Sequence, residues 1–180
     1  MYRKGHYGVA LLLFAPIGLG LVAAGAPTLA LLTGGAMLWL AMLPDVDHRL
    51  PVVEHRGPTH SLLFAGLVGA AFAGVGYLVG DTALLGQLLA VEEPVPVSGL
   101  PVEAQFAVVG FGIGALAVLA HLLGDALTPA GVNFFWPLSR RTYSLGVTRA
   151  DSTLWNYGLF ALGIAAFGAT AYLAAGVAGG

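Results

Sequence analysis

The sequence predicts an all-α fold, a polytopic membrane bundle of about five transmembrane helices that forms a single integral membrane domain over residues 1–180. Composition is the first observation behind this prediction. Hydrophobic residues make up 58% of the chain and charged residues only 9%, whereas a soluble domain carries roughly 25% charged residues. The second observation is a mean hydropathy of +0.86, with several uncharged stretches of the roughly 20 residues that a bilayer-spanning helix needs.

The boundaries of the helices follow from charges, glycine and proline. The run from Gly5 to Pro44 carries no charge apart from His6 and is long enough for two helices, with a tight connection at residues 25–27. Charged or polar residues bound the later stretches, and the last uncharged run reaches the end of the sequence. The five predicted spans are about Tyr7–Ala24, Thr28–Leu43, Ser61–Val79, Ala104–Leu123 and Leu154–Ala178.

The positions of lysine and arginine predict the orientation. All seven lie before the first span, between the second and third, or between the fourth and fifth: Arg3, Lys4, Arg49, Arg56, Arg140, Arg141 and Arg149. Five spans bring these segments to one side, and loops rich in Lys and Arg are retained in the cytoplasm. We therefore expect an integral protein of the cell membrane with a cytoplasmic N-terminus.

Charge and cysteine content exclude several classes of function. The net charge of −2 gives no electrostatic attraction to nucleic acid, so we expect membrane lipid as the surroundings and no nucleic acid partner. The absence of cysteine excludes disulfides, iron–sulfur clusters and zinc sites built from thiolates.

Histidine and aspartate residues gather at the predicted cytoplasmic ends of the spans. His6 opens the first span, Asp45 and Asp47 follow the second, His60 precedes the third, and His121 and Asp125 end the fourth. His121 and Asp125 share one helical face because they are four residues apart. If the chain after Pro44 is extended, Asp45 and Asp47 point the same way. Polar residues also collect at helix ends because the membrane–water interface is hydrated, and this alone could explain His6 and His48. The pair His121 and Asp125 is different, because a histidine and an aspartate near membrane depth are costly unless they pair or bind a metal.

These residue types predict a divalent metal site. Imidazole nitrogens with carboxylate oxygens suit zinc, and also iron or manganese. Since thiolates are missing, an open catalytic site is favoured over a closed structural one.

Three motifs resemble the YdjM-like family of small membrane proteins. They are residues 43–48 (LPDVDH), residues 55–61 (HRGPTHS), and residues 121–125 (HLLGD) with Thr128 and Gly131. The likeness runs from His6 to about Pro137. It implies a membrane-bound, metal-dependent hydrolase and leaves the substrate open.

A more distant likeness concerns zinc-dependent phospholipase C and related single-strand nucleases. Their ligands follow the order His, Asp, His, His-x-x-x-Asp, which resembles the order found here. This likeness implies one ion among Asp47 or Asp45, His60, His121 and Asp125, and a second ion that uses His6 and shares Asp125. No histidine follows His121, so ligands for a third ion are missing and one or two ions are expected.

Residues next to the predicted ligands suggest catalytic roles, each with an alternative. Arg56 is expected either to clamp a phosphate or carboxylate bidentately or to anchor the chain to anionic headgroups. His55 is either a proton shuttle, because an unperturbed histidine has a pKa of about 6.5, or a support for a ligand. Asp47 or Asp45 is expected to orient water or take its proton. Thr59 is expected to cap the third span, and Pro129–Leu138 to lie at the interface as packing or as a lid.

Three functions compete on these grounds. The first is a membrane-bound, metal-dependent hydrolase acting on a phosphoester or lipid at the cytoplasmic face. The second is a metal or ion transporter, but transporters place ionisable ligands near the bilayer midplane, where this chain has almost none. The third is a non-catalytic membrane protein with a structural metal.

Overall fold

The computed structural model describes residues 1–49, 56–80 and 99–178. Within these residues the chain forms five α-helices and two short 3₁₀ helices, with no β-strand. The α-helices are α1 (Arg3–Ala23), α2 (Pro27–Leu40), α3 (Leu62–Gly80), α4 (Val102–Ala126) and α5 (Thr153–Ala178). The 3₁₀ helices are Pro44–Arg49, after α2, and Pro58–His60, before α3. The predicted all-α fold is confirmed.

Five segments of the described chain are long and apolar enough to cross a membrane. Four of them are helices or parts of helices, and α2 reaches this length together with the residues that follow it, up to His48. Each segment overlaps one predicted span, because the charges and prolines that bound the apolar runs also end the helices. The five spans are therefore confirmed, and the protein is an integral membrane protein.

Helices α1 and α4 lie at the centre of the bundle. Helix α1 packs against α2, α4 and α5, while α3 packs against α4. Side chains of α1, α2 and α4 share one core that includes Phe14, Met37 and Ile113. Large apolar side chains on α3 and α5 stay exposed, as expected for helices that face lipid.

Glycine allows the closest contacts between helices. A Cβ on Gly8 of α1 would overlap the backbone of Leu159 in α5, and a Cβ on Gly110 of α4 would overlap the backbone of Phe72 in α3. Small residues let membrane helices approach in this way, and van der Waals packing then replaces the hydrophobic effect as the source of cohesion.

The start of α3 corrects one expectation from the sequence. Ser61, not Thr59, caps this helix: its Oγ accepts a hydrogen bond from Phe64 N at 3.1 Å. Thr59 lies two residues earlier, and its hydroxyl donates to Asp47 Oδ2 at 2.8 Å. Both residue types are good caps, so residue type alone could not tell the two positions apart.

The chain between α4 and α5 folds back beneath the bundle. Val132 and Tyr143 pair through two backbone hydrogen bonds of 2.9 and 2.8 Å. Phe134 packs on the core between α3 and α4, and its carbonyl accepts from Leu62 N at 2.9 Å. These contacts agree with the packing role expected for Pro129–Leu138 and place Gly131 next to the ends of α3 and α4.

Candidate metal centre

One end of the bundle collects six of the eight predicted site residues around a common centre. His6 lies in the first turns of α1, Asp45 and Asp47 in the 3₁₀ helix after α2, His60 at the end of the second 3₁₀ helix, and His121 and Asp125 in the last turns of α4. All are buried except Asp45, whose side chain is 27% exposed. Residues from four separate segments therefore meet at a single place.

Four side-chain atoms of this cluster face one another across a small gap. Nε2 of His121 lies 3.4 Å from Asp45 Oδ1 and 3.7 Å from Asp125 Oδ2. Nε2 of His60 lies 3.6 Å from each of the same two oxygen atoms. Asp45, His60 and His121 form one of the groups whose geometry could hold a metal ion.

The carbonyl of Ala41, the residue that caps the end of α2, fixes the orientation of the His121 ring. Nδ1 of His121 lies 2.8 Å from the carbonyl oxygen of Ala41. A carbonyl oxygen can only accept, so Nδ1 carries the proton and Nε2 of the neutral ring has a lone pair. Nε2 has no hydrogen-bond partner among the described residues, and it points at two carboxylate oxygens that are also acceptors. A cation between these atoms would satisfy all three.

His60 is oriented by Thr59 and Asp47 in a similar way. Its Nδ1 lies 3.0 Å from Thr59 Oγ1 and 3.3 Å from Asp47 Oδ2. Because the Thr59 hydroxyl donates to Asp47, its oxygen is left to accept from Nδ1. A histidine that donates one ring N–H to such a partner presents its other nitrogen as a metal ligand.

The two aspartates after α2 take different places, which corrects the extended chain expected there. Residues Pro44–Arg49 form a 3₁₀ helix, so Asp45 and Asp47 do not point the same way. Asp45 faces Nε2 of His60, whereas Asp47 lies behind the ring at Nδ1. The geometry favours Asp45 as the ligand and Asp47 as the residue that orients His60.

His6 stacks on His121 at the edge of this group. The two rings are 3.9 Å apart between centroids, with 3° between their planes. Nε2 of His6 lies 3.5 Å from Asp125 Oδ1, and His6, His121 and Asp125 form a second group that could hold an ion. Nδ1 of His6 has no hydrogen-bond partner among the described residues, and a Cβ on Gly124 would lie 2.7 Å from it. Glycine at position 124 therefore leaves the space that the ring of His6 occupies.

Arg56 reaches the cluster from an unusual backbone conformation. Its φ of 63° is positive, which is uncommon for a residue with a side chain, and its N–H donates to Asp47 Oδ2 at 3.3 Å. Nη1 donates to the carbonyl of Gly131 at 3.1 Å, and Nη2 lies 3.8 Å from Asp125 Oδ1. The amino group of Met1 also donates to Asp125 Oδ1, at 2.8 Å.

His48 lies at the surface, at the edge of this geometry. His48 is 58% exposed and lies 4.0 Å from Asp45 Oδ1, and Asp45, Asp47 and His48 form a third group that could hold an ion at the surface. His55, the predicted proton shuttle, lies outside the described residues.

Sequence reasoning missed several contacts that shape the cluster. The carbonyl of Ala41 orients His121, but every residue has a backbone carbonyl, so the residue type at position 41 does not predict this contact. Gly124 and Gly131 did carry a signal, since both fall within the motifs quoted above. Thr128 explains another part of the same motif, because its hydroxyl donates to the carbonyl of Asp125 at 2.8 Å and closes the end of α4.

Comparison with known proteins gives one family. The chain has no match among curated proteins or among solved structures, so the likeness to zinc-dependent phospholipase C stays a prediction. The family described as YdjM inner membrane protein matches residues 1–179, nearly the whole length. The chain therefore belongs to the YdjM inner membrane protein family.

Proposed function

We propose that this protein is a membrane-bound, metal-dependent hydrolase that cleaves a phosphoester at the cytoplasmic membrane face, with zinc as its metal. One observation carries the proposal: the Nε2 atoms of His60 and His121 each lie 3.4 to 3.7 Å from a carboxylate oxygen of Asp45 and of Asp125. A cation is the simplest group that would hold two imidazole nitrogens and two carboxylate oxygens at these separations.

The spacing of the donors fits zinc. Zinc takes four ligands at about 2.0 to 2.2 Å in tetrahedral geometry, which places neighbouring ligand atoms about 3.4 Å apart. The four distances between imidazole nitrogens and carboxylate oxygens lie at or slightly above this value, and Asp45, His60 and His121 form one candidate group. A set of imidazoles and carboxylates without thiolates is typical of catalytic sites rather than structural ones, and zinc can expand to five ligands, which leaves a position for water beside these four donors.

The chain's own residues would supply orientation and charge. A bound zinc ion would supply Lewis acidity and lower the pKa of a water molecule to about 7. Asp47 and Thr59 hold the ring of His60, and the carbonyl of Ala41 holds that of His121. Asp45, the most exposed of the four ligands, lies on the side from which water and substrate would come.

A second ion beside the first accounts for His6. Nitrogen lone pairs lie in the ring plane, and the planes of His6 and His121 run parallel in a stack, so a single ion cannot lie in both. Asp125 turns Oδ1 toward His6 and Oδ2 toward His60 and His121. Ions in two-metal sites are about 3.5 to 4 Å apart, close to the stacking distance. We assign the second ion to His6 and Asp125, where it would take the place of the Met1 amino group at Asp125 Oδ1.

Arg56 supports the choice of a phosphoester. Its guanidinium lies beside Asp125, and its side chain is 24% exposed, so it borders the donor cluster and is still accessible. A planar guanidinium can hold a phosphate through two parallel hydrogen bonds and offset its negative charge. The positions of Lys and Arg in the loops predict that this end of the bundle faces the cytoplasm.

Metal content is the first test. Protein purified in detergent should carry zinc, and His60→Ala and His121→Ala should lose it while eluting as folded protein. His6→Ala should keep one ion and lose the other. Asp151→Ala is the control, because Asp151 is exposed and pairs with Arg149 away from the cluster. Full metal retention in both His60→Ala and His121→Ala would refute the site.

Activity is the second test. The zinc-loaded protein in lipid is given phosphodiesters, phosphomonoesters, carboxylic esters and amides. Hydrolysis of a phosphoester that disappears in His121→Ala is expected. Cleavage of carboxylic esters or amides alone would refute the substrate class and keep the hydrolase, whereas no turnover of any class would refute the hydrolase.

A further inference from the structure

A cavity of about 320 Å³ opens beside the metal centre, between the start of α1 and the end of α2. Its lining includes Arg3, Trp39, Met42, Leu43, Asp45 and Val46. Apart from Arg3 and Asp45, these side chains are apolar or aromatic. The cavity therefore joins a donor of the metal centre to an apolar wall and one cation.

Access to the donors favours this side of the cluster. The side chain of Asp45 is 27% exposed, whereas those of His60, His121 and Asp125 are between 0 and 3% exposed. A molecule that reaches the cluster past the described residues therefore meets Asp45 first, and the cavity is the space next to it.

The walls of the cavity continue into the surface that faces lipid. Trp39 is 76% exposed, and Leu31 and Leu32, both about two turns earlier on α2, are also exposed. Leu32 lies seven residues before Trp39 and so on the same helical face. Tryptophan is enriched where the bilayer meets water, because one part of its ring system is apolar and the other polar.

We propose that this cavity admits a membrane lipid whose phosphate pairs with Arg3 and whose acyl chains lie against Trp39 and Leu43. The proposal rests on the hydrolase proposed above and names the lipid as its substrate class. Charge complementarity supports it: Arg3 is the cation among the lining residues, and a lipid phosphate is an anion attached to apolar chains. A soluble phosphoester would use the cation but not the apolar wall.

Binding without turnover tests the cavity by itself. Metal-free protein in detergent is titrated with radiolabelled dihexanoyl phosphatidic acid. Saturable binding is expected, and Arg3→Gln should weaken it on the order of tenfold, as expected for the loss of one hydrogen bond to a charged group. Trp39→Ala should weaken it as well. Arg3→Lys keeps the charge and should bind more tightly than Arg3→Gln.

Matched controls come from other parts of the surface. Leu162→Ala removes an exposed apolar side chain of α5 away from the cavity lining, and Arg140→Gln removes an exposed cation elsewhere. Both should bind like the unaltered protein. Equal affinity of Arg3→Gln, Trp39→Ala and the unaltered protein would overturn the proposal.

A kinetic comparison separates this proposal from the hydrolase itself. With zinc bound, Trp39→Ala should raise KM for the lipid but leave KM for bis(p-nitrophenyl) phosphate unchanged. Lipid binding that depends on Arg3 and Trp39 without any turnover would support the cavity and refute only the hydrolase. If the protein hydrolyses the soluble diester but its lipid binding is unchanged by Arg3→Gln and Trp39→Ala, the lipid site in the cavity is refuted and the hydrolase is retained.

Discussion

The Oδ2 atom of Asp47 lies 3.3 Å from Nδ1 of His60, on the opposite side of the ring from the nitrogen that faces Asp45 and Asp125. A carboxylate behind a ligating histidine fixes its tautomer and makes the outer nitrogen a stronger ligand. The Thr59 hydroxyl lies between the same two groups. Asp45 and Asp47, two positions apart in the sequence, therefore act at different distances from the proposed metal.

Asp47→Asn tests this difference. We expect metal affinity to fall by about 10- to 100-fold, the usual effect of removing such a supporting group, with binding retained at high metal concentration. Asp45→Asn should lose more, because a ligand itself is changed. Competition against a chromophoric chelator measures both affinities, and Asp151→Asn, an exposed residue paired with Arg149, is the control. Equal losses for Asp45→Asn and Asp47→Asn would contradict the assignment.

The helices were predictable from the sequence, but the division of roles at the site was only partly so. Apolar runs bounded by charges mark the spans, because burial of charge in lipid is costly. The spacing of His121 and Asp125 likewise follows from helical periodicity. The roles of Asp45 and Asp47 depend on the 3₁₀ helix Pro44–Arg49. This helix is too short for a periodic pattern in the sequence to predict it. The contact between Ala41 and His121 depends on how α2 meets α4, which side-chain types do not encode.

Gly124→Ala tests the place of His6. A Cβ there would lie 2.7 Å from Nδ1 of His6, so the ring must shift, and overpacking of this kind costs about 1 to 3 kcal/mol. We expect a lower thermal midpoint in detergent and loss of one of the two proposed ions.

Gly112→Ala is the matched control, because Gly112 lies on the same helix and a Cβ there meets nothing within 4 Å. It should keep both ions and the thermal midpoint of the unaltered protein. Two ions in Gly124→Ala with an unchanged midpoint would show that the ring of His6 does not depend on this space.

Arg56→Lys tests the role proposed for the guanidinium. Lysine keeps the positive charge but cannot form two parallel hydrogen bonds to a phosphate. We expect kcat on the phosphoester to fall on the order of 100-fold, as when one donor that stabilises transition-state charge is removed, with metal content unchanged. Arg140→Lys changes an exposed arginine and is the control. Unchanged kcat in Arg56→Lys would favour the anchoring role instead.

Orientation decides from which side the site is reached, and labelling can measure it directly. The chain has no cysteine, so a single introduced thiol reports one position. Ala24→Cys lies in the connection between α1 and α2, at the opposite end of α1 from His6, and Leu145→Cys lies in the exposed chain between α4 and α5. Because loops rich in Lys and Arg stay in the cytoplasm, an impermeant maleimide should label Ala24→Cys in intact cells and Leu145→Cys only after permeabilisation. The reverse pattern would place the metal centre on the outer face, and the proposed substrate would then have to come from the outer leaflet.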